Sequence, residues 1–184
     1  MTFEGFTCKS LLNMIPKFLP YFLFGFVAGA TEPVISSLLP RGGQAGSVLE
    51  IVITGQRLTD SEEIFFYTDG ISADDIIVEK GRKLTATFTI AEEAKIGQHE
   101  LRLRTKQGIS RLYTFWVGPY PNVDEKEPNS SFDEAQPIPM NVTVNGVAEN
   151  EDVDYFEINA PQGQRISAEI EAIRLSGPLF DPYI

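Results

Sequence analysis

Glu125, Glu127 and Asn129 stand at alternate positions in the stretch DEKEPNSS, and Asp152 and Asp154 do the same in EDVDYF. Alternate residues of an extended chain face the same way. Pro128 disfavours helix at Glu127 and pushes it toward extended geometry. Three oxygen donors would then leave one side of a stiffened strand, and two more would leave one side of another. Calcium is a hard ion that takes about six to eight oxygens from carboxylates, amides and backbone carbonyls. Two acidic clusters brought together repel unless a cation sits between them. Glu125, Glu127, Asn129, Asp152 and Asp154 are therefore the expected metal ligands, with calcium the expected ion. The plainer alternative is a solvated linker followed by a solvated turn. The pattern is not an EF-hand, since no acidic loop with the required glycine and terminal glutamate is present.

Other chemistry finds no footing. A hydrolytic triad needs a nucleophile and a base within hydrogen-bond reach. The chain has one histidine, His99, one cysteine, Cys8, and no G-x-S-x-G elbow. Zinc sites want clustered His and Cys, and neither a Walker loop nor a dinucleotide fingerprint occurs. No catalytic and no cofactor-binding residues are expected, and the protein is expected not to be an enzyme.

The elements that must position these acids begin after residue 30. Lys9 and Lys17 precede the apolar run FLPYFLFGFV, Phe18 to Val27, which is followed by Ala28-Gly29-Ala30. A basic lead, a short apolar core and an A-x-A site describe a secretory signal peptide over 1–30, cut before Thr31. Met14 is an alternative start. The run is shorter than the ~20 residues a bilayer-spanning helix needs, so no transmembrane segment is expected after cleavage. Cys8 lies upstream of the run, so the mature chain carries no cysteine and no disulfide. Core packing or a metal must hold it together outside the cell. The expected location is secreted, periplasmic or in the cell envelope.

Charge is uneven along the chain. Residues 31–118 hold 12 acids and 10 bases, a net of −2, whereas 119–184 hold 13 acids and 3 bases, a net of −10. Such asymmetry suggests two units with different partners. The acidic balance excludes nucleic acid as an expected partner, since that needs a basic footprint.

Residues 31–118 read as short strands between turns. LTATFTI alternates Leu84, Ala86, Phe88 and Ile90 against Thr85, Thr87 and Thr89. HELRLRT sets His99, Leu101 and Leu103 against Glu100, Arg102 and Arg104. Period-two alternation with polar residues outside is the signature of a half-buried strand. Roughly seven such strands predict an all-β sandwich. AEEAKIG, Ala91 to Gly97, is expected to make a single helical turn. In the GQHEL that follows, His99 stands where immunoglobulin-like corners carry tyrosine, so its expected role is structural. Pro33, Pro40, Gly46, Gly55 and Leu58 in PVISSLLPRGGQAGSVLEIVITGQRL resemble the opening of an IPT/TIG-type immunoglobulin-like domain. That resemblance implies spacer, protein-binding or carbohydrate-binding roles.

Residues 119–130 form a Pro-, Asn- and acid-rich linker that contains the first candidate ligands. Beyond it, 125–184 also reads as β-structure, with Ile166, Ala168, Ile170 and Ala172 expected on one inner strand face. Glu125, Glu127, Pro128, Asn129, Ala135, Gly146, Asp152, Asp154, Tyr155, Phe156 and Gly163 match in order the signature of the bacterial pre-peptidase C-terminal domain. The resemblance implies a small jelly-roll-like sandwich attached to secreted proteins, often an accessory module, with calcium held in related collagen-binding modules. Ser130 departs from that pattern, since relatives often carry Asp or Asn there; a hydroxyl is a weaker, neutral ligand, so reduced affinity or the loss of one ligand is expected. The resemblance also implies further strands after Ile184, so the second domain is expected to be incomplete. Two small β-sandwiches in tandem after a signal peptide are thus expected. The expected function is a secreted, non-catalytic binding or spacer protein whose partner is an extracellular protein or polysaccharide. The alternatives are the front end of a larger secreted hydrolase and a cell-surface adhesin.

Overall fold

The structure is a computed structural model that describes residues 32–147, 153–172 and 175. The expected signal peptide with Cys8, and Asp152 of the second acidic cluster, lie outside the described residues.

Alternation becomes two packed sheets. The first contains β1 (Val34–Leu39), β3 (Val48–Gln56), β6 (Lys83–Ile90) and β5 (Ile71–Glu79), antiparallel in the order β1-β3-β6-β5. The second runs β2-β9-β7-β4, from β2 (Gly42–Gln44), β9 (Tyr113–Gly118), β7 (Gly97–Thr105) and β4 (Ser61–Phe66), with β8 (Gly108–Ile109) folded onto β7. β2 and β9 are parallel, and the other pairs in this sheet are antiparallel. β6 buries Leu84, Ala86, Phe88 and Ile90 while its threonines stay outside the core. β7 buries His99, Leu101 and Leu103 against them. Phe66, Phe88 and Phe115 meet edge-to-face between the sheets, with ring centroids 5.2 Å apart for Phe66–Phe88 and 5.4 Å for Phe88–Phe115. Such geometry adds about 0.5–1.5 kcal/mol per pair beyond burial.

Among the described residues the register breaks three times, between Ile35 and Ser37 in β1, Ser61 and Glu63 in β4, and Asp74 and Ile77 in β5. Gly55 lies opposite the first break. A Cβ at Gly55 would overlap the carbonyl oxygen of Val34. Gly55→Ala is therefore expected to push β1 from β3 and to lower stability by about 1–3 kcal/mol. A urea melt reads this as a lower midpoint with an unchanged slope.

His99 has the structural role its position implied. It is buried, its Nδ1 lies 2.5 Å from Thr68 Oγ1, and its Nε2 lies 2.6 Å from the Lys95 carbonyl oxygen. Nε2–H donates to the carbonyl and Nδ1 pairs with the hydroxyl, so both ring nitrogens are used. AEEAKIG makes one hydrogen-bonded turn, Ala94 N–H to the Ala91 carbonyl oxygen at 3.1 Å, and no longer helix.

A bend at Pro119–Tyr120 leads from β9 into the second unit. There β10 (Asn122–Asp124) pairs in parallel with β12 (Thr143–Asn145), and β11 (Gln136–Ile138) pairs in parallel with β13 (Phe156–Ile158). Asn122 Nδ2 donates to the Gly42 carbonyl at 2.9 Å and to Asn145 Oδ1 at 3.3 Å, so it ties the two units at their joint. The strand expected over QRISAEIEAI does not form. Ile166 and Ile170 are 49% and 43% exposed, and residues 164–172 are not in a strand. A strand exists only by pairing, and among the described residues no neighbour takes up its backbone groups.

Candidate metal centre

The acids meet although they are far apart in sequence. Carboxylate oxygens of Glu125, Glu127 and Asp154 all lie within 4.8 Å of one another. The approach is built by backbone. β11 and β13 run side by side, and the Tyr155 N–H donates to the Asn129 carbonyl at 2.9 Å, which sets Asp154 beside the Glu125–Asn129 loop. The loop is not the stiffened strand that alternate spacing suggested. β10 ends at Asp124, and a bend follows at Glu127.

Asn129 is the centre of this loop and is fully buried. Its Nδ2 donates to Glu125 Oε1 at 2.9 Å, and its backbone N–H donates to Glu127 Oε2 at 2.9 Å. Glu125 Oε2 accepts the Val147 N–H at 2.8 Å. Asn129 Oδ1 is buried with no hydrogen-bond partner. A buried acceptor left unmatched costs about 1–3 kcal/mol. Reversing the amide would not help, because Oδ1 would then face the Glu125 carboxylate. Asn129 Oδ1 and the carboxylates of Glu125, Glu127 and Asp154 are the oxygens that could hold a cation.

The charges set the energetic problem. Two carboxylates at this spacing repel by about 1 kcal/mol in a water-like dielectric and about 3 kcal/mol at an effective dielectric of ~20. The donor set is all oxygen, with three carboxylates and one neutral amide, and this suits a hard cation such as calcium, with water or second carboxylate oxygens completing the shell. Of the five expected ligands, Glu125, Glu127, Asn129 and Asp154 come together, and Asp152 lies outside the described residues. Ser130 is exposed.

Gln136 is the residue that sequence reasoning missed. Its Oε1 accepts the Lys126 N–H at 2.8 Å and its Nε2 donates to the Asp124 carbonyl at 3.1 Å, so one amide clamps the backbone on both sides of Glu125. Its only sequence signal is a lone amide next to Ala135 in a segment rich in acids. Gly146 contributes by its lack of a side chain, since a Cβ there would stand 3.2 Å from Glu125 Oε2.

The described residues define an all-β protein with an immunoglobulin-like sandwich as its first unit. No protein-family model and no curated protein matches the chain. Solved structures that resemble it include SGBP-B of the Bacteroides ovatus mixed-linkage glucan utilization locus in complex with a mixed-linkage heptasaccharide. That match has 14% identity and a TM-score of 0.39, and it covers 60% of this chain and 26% of the other. The adhesin InvE of Yersinia pseudotuberculosis matches at 17% identity and TM-score 0.36, over 50% of this chain and 28% of the other. The Lin-41 filamin domain matches at 8% identity and TM-score 0.32, over 48% of this chain and 98% of the other. The chain thus spans 26% and 28% of the length of the first two. No helix among the described residues is long and apolar enough to cross a membrane.

Proposed function

We propose that this protein is a secreted, non-catalytic binding module whose second unit is of the pre-peptidase C-terminal type and is held by a calcium ion. Glu125, Glu127, Asn129 and Asp154 supply its ligands. The observation that carries the calcium reading is the buried, unmatched Asn129 Oδ1 beside a carboxylate cluster. Acids alone are common on surfaces, whereas a buried acceptor beside them calls for a donor or a cation, and the neighbouring carboxylates favour the cation. The binding role is supported by the sandwich architecture and by the sequence, which offers no nucleophile–base pair.

Calorimetry of calcium into the full chain tests the metal. Heat at millimolar calcium is expected, together with a calcium-dependent rise in melting temperature. Glu127→Gln keeps an oxygen for the Asn129 N–H and removes one charge. Without calcium it is expected to be more stable than the parent, because repulsion falls. With calcium it is expected to bind about tenfold more weakly. No heat at millimolar calcium, or a Glu127→Gln protein that is indifferent to calcium-free conditions, would overturn the metal reading.

A further inference from the structure

The end of the β1-β3-β6-β5 sheet carries a feature that none of the foregoing uses. A groove of about 690 Å³ opens there, lined by Arg57, Lys80 and Arg82 with the hydroxyls of Ser36, Thr54 and Thr59. No carboxylate and no aromatic ring lines it, in a chain whose net charge is −11. Exposed cations grouped with hydroxyls form a local positive patch on an otherwise acidic protein.

Two turns build the groove and are fixed to each other. The turn after β3 begins at Arg57, with φ +58°, and the turn between β5 and β6 holds Lys80 and Gly81, with φ +52° and +67°. The Leu58 N–H donates to the Gly81 carbonyl at 3.0 Å, and the Gly55 N–H donates to the Arg82 carbonyl at 2.8 Å. A Cβ at Gly81 would overlap Thr59 Oγ1, so the turns are in direct contact, and φ +67° at this position favours glycine. The β1 register break re-aims Ser36 out of the ladder at the groove wall. Arg57 Nε donates to the Glu32 carbonyl at 2.7 Å, which anchors the guanidinium and leaves its terminal NH2 groups for an outside partner. Neighbouring Lys83 is already matched by Glu79 at 3.2 Å, whereas among the described residues Lys80 and Arg82 have no ion pair.

We propose that this groove binds an anionic polysaccharide, a hydroxyl-rich chain bearing carboxylate or sulfate groups. The proposal rests on the binding-module reading above and does not depend on calcium. Guanidinium groups recognise carboxylates and sulfates through paired N–H donors. The hydroxyls of Ser36, Thr54 and Thr59 suit sugar hydroxyls between the charges. A single-stranded nucleic acid would want aromatic platforms, which the groove lacks.

The test is calorimetry of the full chain, in calcium and in EDTA. The probes are a polyuronate oligosaccharide, a sulfated oligosaccharide, a neutral β-glucan oligosaccharide and inorganic sulfate. At least one charged oligosaccharide is expected to bind, more weakly as salt rises, and the neutral one is not. Arg57→Asn/Arg82→Ala, with asparagine chosen because it tolerates the left-handed backbone, is expected to weaken binding about tenfold or more with an unchanged melting temperature. Equal binding of the neutral oligosaccharide, binding of sulfate ion alone, or undiminished binding by the double variant overturns the proposal. Loss of the calcium heat with oligosaccharide binding intact counts against the metal reading alone.

Discussion

Glu125→Ala is expected to loosen the second unit while leaving the first intact. One carboxylate accepts from Asn129 Nδ2 at 2.9 Å and from the Val147 N–H at 2.8 Å. Hydrogen bonds to a charged group contribute about 1.5–3 kcal/mol each. Their joint loss also strands the buried Asn129 amide, so a cost of about 3 kcal/mol or more is expected. Hydrogen exchange locates the effect. The amides of Val147 and Tyr155 should exchange at least ~100-fold faster, since about 1.4 kcal/mol is a factor of ten. The Leu103 amide, which donates to Ser110 Oγ at 3.0 Å within the first unit, should keep its protection. Unchanged exchange at Val147 and Tyr155 would show that Glu125 does not organise the loop. On the proposed calcium reading, the same experiment with saturating calcium should widen the gap between parent and variant, because an ion that binds the folded parent alone stabilises it.

Phe115→Ala is expected to have the largest effect on the first unit. Phe115 is fully buried, and its ring meets Phe88 at 5.4 Å and Phe66 at 6.5 Å. Truncation removes the ring's burial and leaves a cavity between two sheets that strand pairing holds apart. Phe→Ala in such a place costs about 3–5 kcal/mol. For a unit of this size that is a fall in melting temperature of roughly 15–30 °C. Phe132→Ala is the matched control, because Phe132 is 83% exposed and its loss should change stability by less than about 0.5 kcal/mol. A Phe115→Ala cost below about 1 kcal/mol would mean that the two sheets collapse onto the void, against the rigid packing described here.

The sequence carried the first unit well because burial there follows period two. Leu84, Ala86, Phe88 and Ile90 face the core as their alternation requires. It concealed β2, where GGQ in RGGQAG looks like turn chemistry yet pairs in parallel with β9. Nothing local can announce a partner more than seventy residues away. The same limit misled the reading of 164–172, since alternation names a face but supplies no neighbouring strand. At the candidate metal centre, the structure brings Glu125, Glu127 and Asp154 together with Asn129 bonded to the first two. The means of convergence was not legible. It lies in the β11–β13 pairing, the Asn129–Tyr155 backbone bond and the Gln136 clamp, all of which join residues distant in sequence.

The three register breaks have a consequence beyond shape. Each falls on a strand at the margin of its sheet: β1 and β5 at the two sides of one, β4 at a side of the other. An open margin is a template on which a second chain can lay its own backbone. A break interrupts the run of evenly spaced donors and acceptors and twists the strand locally. In β5 it falls beside Asp74 and Asp75, with Asp75 at φ +52°, so an arriving strand meets both a missing rung and buried-charge cost. Three of the four sheet margins are thereby poor templates for edge-to-edge pairing between crowded copies, and the fourth, β2, is only three residues long.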